Sequence, residues 1–402
     1  MTGKQLDVFE SFLGPRFSAE TDIITSVMYA FASEPKRGLT SSEFDNLVCE
    51  LCKCSSHFYP LSDHSKEVIR KLVFINKKSH MDFVAFCIVW KHWIKHILSP
   101  KSVLLVLNMQ NDLLHGKIPG LSGPLTHNMI NKTNTVLHLN CFEMVIYVME
   151  NHPPHHISFV ENLNVYQHLM SPTGDVSEFD DVTDDMDYIE AINGHQESPM
   201  DRIDTNFTVW DKVIVDTSGA AEEESCGEES EILLWPMHCV ENTWGSELSP
   251  QLHMAEKTLR VYTGTNPMGE SCSPFWDWEG VIESNLLECL RLEGVTDVYV
   301  CGVPTDIAIV PTVLDCINHG LRAVYIADAS LGLDELASEE CETLLRSRGV
   351  TVVNSDQVAS MLKGEDRRPE MLMHSAINFA QAMKKLNLQQ SKNNASSSIF
   401  TN

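Results

Sequence analysis

Long apolar runs are missing from this sequence. No stretch reaches the length a helix needs to cross a bilayer, and the opening MTGKQLDVFESFLG lacks the basic-then-apolar pattern of a secretion signal. Positive charge is also scarce, with 29 Lys and Arg against 56 Asp and Glu and a formal net charge of −27. Nucleic acid and anionic membrane would both be repelled by such a chain, so neither is expected as a partner. The 12 cysteines show no repeated metal-ligand spacing. With no secretion signal, the expectation is a cytoplasmic chain whose thiols are reduced and serve mostly as small apolar residues. Cys52 and Cys54, with Cys49 and Cys87 nearby, form the one local cluster, and Cys-x-Cys alone falls short of a zinc module. What the chain does have is 402 residues at 43% hydrophobic content, enough to bury a large core in two or three units.

Residues 1–98 read as helical. Asp22 to Phe31, Phe44 to Leu51, Glu67 to Phe74 and Asp82 to Ile97 carry apolar residues at spacings of three and four. The rhythm of helix, short loop, central apolar residue and helix resembles a pair of EF-hands. The first loop would run Ala32 to Glu43 around Gly38 and Leu39, and the second Phe74 to Ala85 around Met81. A calcium loop needs oxygen ligands at its positions 1, 3, 5 and 12. The first loop offers Ala32, Glu34, Lys36 and Glu43, and the second Phe74, Asn76, Lys78 and Ala85. No calcium is expected in either. The alternative role for this unit is docking of a protein partner, and its removal should then leave the rest folded.

From Lys101 to Lys363 the pattern changes. Val103 to Leu107, Met144 to Val148, Leu259 to Tyr262, Val298 to Cys301, Ala323 to Ala327 and Val350 to Val353 are short apolar runs that read as buried strands. Ser284 to Glu293, Ile307 to His319 and Ser338 to Ser347 have helical periodicity. Alternation of this kind predicts an α/β fold, a mostly parallel sheet with helices on both faces. Gly302 to Asp306 turn the chain after one strand, with Thr305 or Asp306 suited to cap the next helix. The polar clusters fall at the C-terminal ends of four strands, the edge where such sheets bind ligands.

Leu-Asn-Met-Gln-Asn-Asp (107–112), Glu-Asn-His-Pro to His-Ile-Ser-Phe (150–159), Trp-Pro-Met-His-Cys-Val to Thr-Trp-Gly-Ser-Glu-Leu (235–248), Gly-Thr-Asn-Pro (264–267) and the turn at 301–315 occur in this order. Together they resemble the nicotinamidase branch of the isochorismatase-like hydrolases, and animal members of that group also carry an EF-hand-like N-terminal extension. The resemblance implies hydrolysis of nicotinamide to nicotinate through a cysteine acyl-enzyme, assisted by an acid/base carboxylate and a lysine. Those three positions hold Ala308, Asn108 and Thr263. Asparagine hydrogen-bonds but cannot take up and return a proton. Arg260, three residues from Thr263, would face the other side of the strand. Cys301 and Cys316, the nearest thiols, read as core residues. An oxyanion donor is implied at position 304, where Pro304 has no N–H. Asp112 reads as a loop-fixing residue.

The metal positions implied by the resemblance hold Glu150, His152 and His238, with His156 and Trp244 as additional candidates beside Phe159. Two imidazoles and a carboxylate suit Zn²⁺ or a similar divalent ion, which in the family would hold a pyridine nitrogen. The expectation is therefore a nicotinamidase-like pseudoenzyme that binds a small pyridine-type ligand. An active nicotinamidase working through the metal or a rerouted mechanism, and a scaffold acting through residues 1–98, remain open, as does a homo-oligomer. About 161–231 lies an insertion with 20 acidic and two basic residues, interrupted by a strand-like stretch, Thr208 to Asp216. It reads as a solubilising loop. From Gly364 to the end, one helix, Met371 to Leu386, and then disorder are expected.

Overall fold

A computed structural model describes residues 8–13, 19–54, 57–74, 79–118, 121–172, 207–216, 229–278, 282–333 and 335–399. The acidic runs at 180–187 and 222–224 lie outside these residues, as do Asn76 and Lys78 of the second loop.

The N-terminal unit opens with α1 (Val8–Leu13) and α2 (Glu20–Phe31), followed by the two-residue strand β1 (Leu39–Thr40) and α3 (Ser41–Leu51). Thr40 caps α3 with a capping box. Its hydroxyl accepts from Glu43 N, and Glu43 Oε2 accepts from Thr40 N at 2.8 Å. The other oxygen, Oε1, accepts from Ser33 N at 2.7 Å, so Glu43 closes its loop through backbone amides. α4 (Asp63–Val73), β2 (His80–Met81) and α5 (Phe83–Val89) repeat the scheme, with Asp82 capping α5. Leu39 pairs with Met81 in an antiparallel bridge joining the two halves. A π-turn, Trp90–Ile94, carries α5 into α6 (Lys95–Leu98), so the long helix expected from Asp82 is continuous but locally widened. Trp90 and Trp93 both reach the core that holds Phe44, Leu47 and Phe86.

The α/β unit runs through β3 (Ser102–Leu107), α7 (Asn111–Leu114), α8 (Pro124–Leu137), β4 (Met144–Glu150), α9 (Leu163–Tyr166), β5 (Met170–Pro172), β6 (Lys212–Asp216), β7 (Glu229–Leu233), β8 (Thr258–Thr263), β9 (Trp276–Trp278), β10 (Ile282–Glu283), α10 (Leu286–Leu292), β11 (Asp297–Gly302), α11 (Val310–Asn318), β12 (Arg322–Ser330), α12 (Glu335–Ser347), β13 (Thr351–Val353) and α13 (Ser355–Leu362). Six of these strands form one parallel sheet in the order β13-β12-β11-β3-β4-β8. Alternate residues of the same strand feed opposite cores: Leu104 and Val106 pack with α8 and α13, while Val103 and Leu105 pack with α10 and α11. The expected α/β sheet with both faces covered is therefore present. Strand order reverses at β3, which lies between β11 and β4, and ligands in such sheets bind at that reversal.

Two expectations need correction. The insertion is more than a solubilising loop, because β5, β6 and β7 form an antiparallel sheet with a small core of Ile157, Met170, Val213, Val215, Ile232 and Leu234. Its middle strand starts at Lys212 rather than Thr208, since Thr208 N donates to Asp211 Oδ2 in a turn. The C-terminal helix is α14 (Pro369–Ile399), longer than Met371 to Leu386 and continuing where disorder was expected. Its Leu372, Ala376 and Phe379 belong to the core of the N-terminal unit, so the chain's own helix covers part of that unit's apolar surface.

Candidate metal-binding cleft

Four adjacent strands, β11, β3, β4 and β8, end at the same edge of the sheet, and the turn after each contributes to one cleft. Leu107 and Asn108 arrive from β3, Glu150 and His152 from β4, Thr263 from β8, and Ile307 and Ala308 from the turn after β11. The cavity between them is about 70 Å³. Ile232 and Leu233 of the insertion sheet form part of its wall.

Asn108 is 3% exposed and has φ 55°, a left-handed conformation that asparagine tolerates better than most residues. Its Nδ2 donates to Glu150 Oε1 at 2.8 Å. Gln110 clamps the end of β4 from both sides: its Oε1 accepts from Glu150 N at 2.8 Å and its Nε2 donates to Glu150 O at 2.7 Å. Glu150 is thus fixed at backbone and side chain, leaving Oε2 directed at two histidines. His152 Nε2 lies 3.6 Å and His238 Nε2 2.9 Å from that oxygen.

Each imidazole is oriented by its other nitrogen. His152 Nδ1 bonds Gly264 O at 3.0 Å, and His238 Nδ1 bonds Pro236 O at 2.8 Å. A carbonyl only accepts, so both Nδ1 atoms carry the hydrogen and both Nε2 atoms face the carboxylate. Gly264 has φ 63°, and a Cβ there would sit 2.3 Å from His152 Cε1, so only glycine lets the ring lie this close. The three donor atoms all lie within 4.8 Å of one another, and among the described residues this is the one such His/Cys/Asp/Glu group. Burial opposes ionisation of Glu150, yet interaction with His152 and His238 in their protonated form prevails and holds its carboxyl well below the usual range. Burial likewise opposes charge on His152, but its bond to Glu150 and the nearby Glu270 push it up. Lone pairs of neutral imidazoles aimed at a carboxylate repel it, and a shared proton or a cation removes that repulsion. The donor set therefore fits a divalent ion.

The remaining sequence candidates fall into place around this group. His156 is fully buried and spends both nitrogens locally, on Ser158 Oγ at 2.8 Å and Gly269 O at 3.2 Å, outside the three-donor group. Burial pushes it down to about 4. Phe159 packs edge-on to His152, with ring centroids 5.4 Å apart. Trp244 does not line the cleft: it is 60% exposed and lies beside His115. The tryptophan that lines it is Trp235, 5.1 Å from the His238 ring. Asp112 fixes a loop, its Oδ2 accepting from Cys239 N at 2.9 Å and from Lys117 at 3.2 Å.

The turn after β11 differs in detail from its expected form. Neither Thr305 nor Asp306 caps a helix; a π-turn, Thr305–Ile309, begins directly after Pro304, and Ala308 N and Ile309 N both donate to Pro304 O. Thr305 N instead donates to Leu331 O, and Asp306 Oδ1 accepts from Leu333 N, tying the turn to the end of β12. Gly302 passes so close to β3 that a Cβ would meet Leu107 O at 2.1 Å. Ala308 lines the cleft at 6% exposure. Cys301 and Cys316 lie on opposite faces of the sheet, both fully buried, and burial pushes the Cys301 thiol up to about 12. Two cleft residues carried no sequence signal: Glu270, 3.8 Å from His156 Nδ1, and the exposed Cys272. They follow Gly264–Pro267 with no spacing that marks them.

The family described as Isochorismatase domain matches residues 223–357. The nicotinamidase of Escherichia coli (strain K12) is 33% identical over 100 residues, 25% of this chain and 47% of that protein. The nicotinamidase of Schizosaccharomyces pombe is 34% identical over 109 residues, 27% of this chain and 49% of that protein. The chain thus spans about half the length of these curated relatives. Among solved structures, the pyrazinamidase of Pyrococcus horikoshii in complex with zinc aligns with 63% of this chain and 99% of its own, at 24% identity and a TM-score of 0.41.

Proposed function

We propose that this chain is a nicotinamidase-like protein that binds a divalent ion and a small pyridine-type ligand in the cleft but does not hydrolyse the amide. The observation that carries this reading is the contrast within one cavity. The three metal-donor side chains converge with their tautomers fixed, while Asn108, Thr263 and Ala308 stand beside them without a thiol, an ammonium or an ionisable acid. Glu150, His152 and His238 would hold the ion, and a bound ion supplies a Lewis-acid site for a ring nitrogen. Loss of a nucleophile alone costs about six orders of magnitude in a well-studied hydrolase. The similarity to nicotinamidases supports the ligand class.

Metal analysis of the purified protein, paired with calorimetric titration of nicotinamide, tests the reading. We expect a near-stoichiometric divalent ion, nicotinamide binding that disappears on chelation or in His152→Ala, and no ammonia release. Ammonia release from nicotinamide by the purified protein would overturn it.

A second reading, an active amidohydrolase with rerouted chemistry, is favoured by one observation: a thiol, Cys272, and a carboxylate, Glu270, line the same cleft. It requires ammonia release that Cys272→Ser or Glu270→Gln abolishes and Ala308→Ser leaves unchanged.

A further inference from the structure

A second cavity, about 480 Å³, lies far larger than the cleft where the N-terminal unit, α14 and the α/β unit meet. Its walls hold His92, His96, Arg291, His319, Arg322 and Lys385, and no Asp or Glu is among the described residues that line it. In a chain with nearly twice as many Asp and Glu as Lys and Arg, an acid-free wall with three Lys or Arg side chains beside three histidines is a local reversal of charge. These groups come from separate elements: the π-turn after α5, α6, α10, the end of α11, β12 and α14. We propose that this seam cavity binds a phosphate-bearing small molecule.

The groups differ in what they have to offer. Arg322 is committed to the floor, donating to buried Asp297 and to His96 O. Arg291 and Lys385 are exposed and make no ion pair among the described residues, so their charge is available to a ligand. His319 carries a buried Nε2 with no hydrogen-bond partner, while its ring stacks near Phe275 at 5.2 Å and Trp276 at 5.9 Å. That nitrogen is closed off from the cavity, so His319 contributes wall and not a ligand contact. Burial first, and then the positive charge of Arg322, His92 and Lys95, push His96 down to about 4, so its imidazole stands neutral in the wall. Phe379 and Met383 supply an apolar wall, so the cavity has room and surface for an organic body beside a phosphate group. Arginine and lysine at its mouth are the side chains that bind phosphate by charge-assisted hydrogen bonds.

The test is calorimetric titration of the full chain, at constant ionic strength, with inorganic phosphate and with adenosine monophosphate. We expect saturable binding that the double variant Arg291→Gln/Lys385→Gln weakens by at least about tenfold, the scale of one charged hydrogen bond. Both positions are exposed, and an unchanged unfolding midpoint for the variant will confirm that the fold is intact. Tighter binding of the mononucleotide than of phosphate assigns part of the affinity to the organic body; equal binding assigns it to the phosphate group, and either supports the site. No binding of either probe, binding equal in wild type and variant, or binding only of a poly-glutamate peptide would overturn it. So would binding that His152→Ala abolishes, since the phosphate would then sit in the cleft.

Discussion

Asn108 stands where the resemblance calls for an acid, and its amide meets a carboxylate. Its amide donates to Glu150 Oε1, leaving Oε2 for the histidines, so one carboxylate contacts both Asn108 and the imidazole pair. The extra methylene of glutamate over aspartate gives Glu150 that reach. The resemblance, not any spacing, marked Asn108, Thr263, Ala308, Glu150, His152 and His238 as neighbours. It was silent on the bond between Asn108 and Glu150, because that depends on where two side-chain ends meet. The consequence is specific: restoring an acid at position 108 sets two carboxylates in hydrogen-bond contact inside a buried site. Like charges at this distance disfavour ionisation of both. Asn108→Asp should destabilise the metal-free protein by about 1–3 kcal/mol, the cost of a broken buried polar pair. Urea unfolding in the presence of a chelator measures it, and unchanged stability would show that the amide does not hold Glu150.

At the scale of elements, regular periodicity was legible and local irregularity was not. The helices expected from Asp22, Phe44, Glu67 and Asp82 and the six strands of the main sheet follow from apolar spacing, whereas α1, α8 and α13 were not among the expected elements. The π-turns at Trp90–Ile94 and Thr305–Ile309 each depend on one extra residue, which leaves no trace in the spacing. The insertion sheet was hidden because acidic residues dominate the surrounding sequence, and its small core takes only Val213 and Val215 from β6 and Ile232 from β7. The capping box of α3 is a case where sequence and structure speak together. Glu43 was read as the last position of a loop without calcium ligands, and its carboxylate holds Ser33 N and Thr40 N. Burial opposes its charge, but these bonds lower it from 4.5 to about 2. A carboxylate with a depressed folded pKa stabilises fully above its unfolded pKa and loses that contribution as pH falls through the folded one. Glu43→Ala should therefore cost about 1 kcal/mol at neutral pH, the usual value of a cap. The difference between wild type and variant should shrink toward zero as pH falls from about 4.5 to about 2. Urea titrations across that range test it, and a pH-independent difference would mean that the carboxylate charge plays no part.

The whole molecule is closed by its C-terminal helix. α14 starts beside α13 of the α/β unit and buries Leu372, Ala376 and Phe379 among the helices of the N-terminal unit. Around that packing, Trp93 Nε1 donates to Leu372 O, Arg367 to Leu51 O and Lys53 O, and Arg322 to His96 O. No local pattern could show this, since the partners are 226 to 316 residues apart and the helix reads in sequence as a separate tail. Removing residues 1–98 was expected to leave a folded remainder, and the packing argues otherwise. It would uncover three apolar side chains of α14, of which Leu372 and Phe379 are each worth about 1.5–3 kcal/mol of burial. It would also remove Leu51 O and Lys53 O from Arg367 and His96 O from Arg322, loosening the start of α14 and the base of β12 while each guanidinium keeps one partner, Gly364 O and Asp297. These losses together match a large share of the roughly 5–15 kcal/mol that holds a domain. A chain beginning at Lys101 should therefore aggregate, or should be digested from its C-terminal end far faster than the full chain under limited proteolysis. A monomeric, protease-resistant fragment with α14 protected would show that the helix is held by the α/β unit alone.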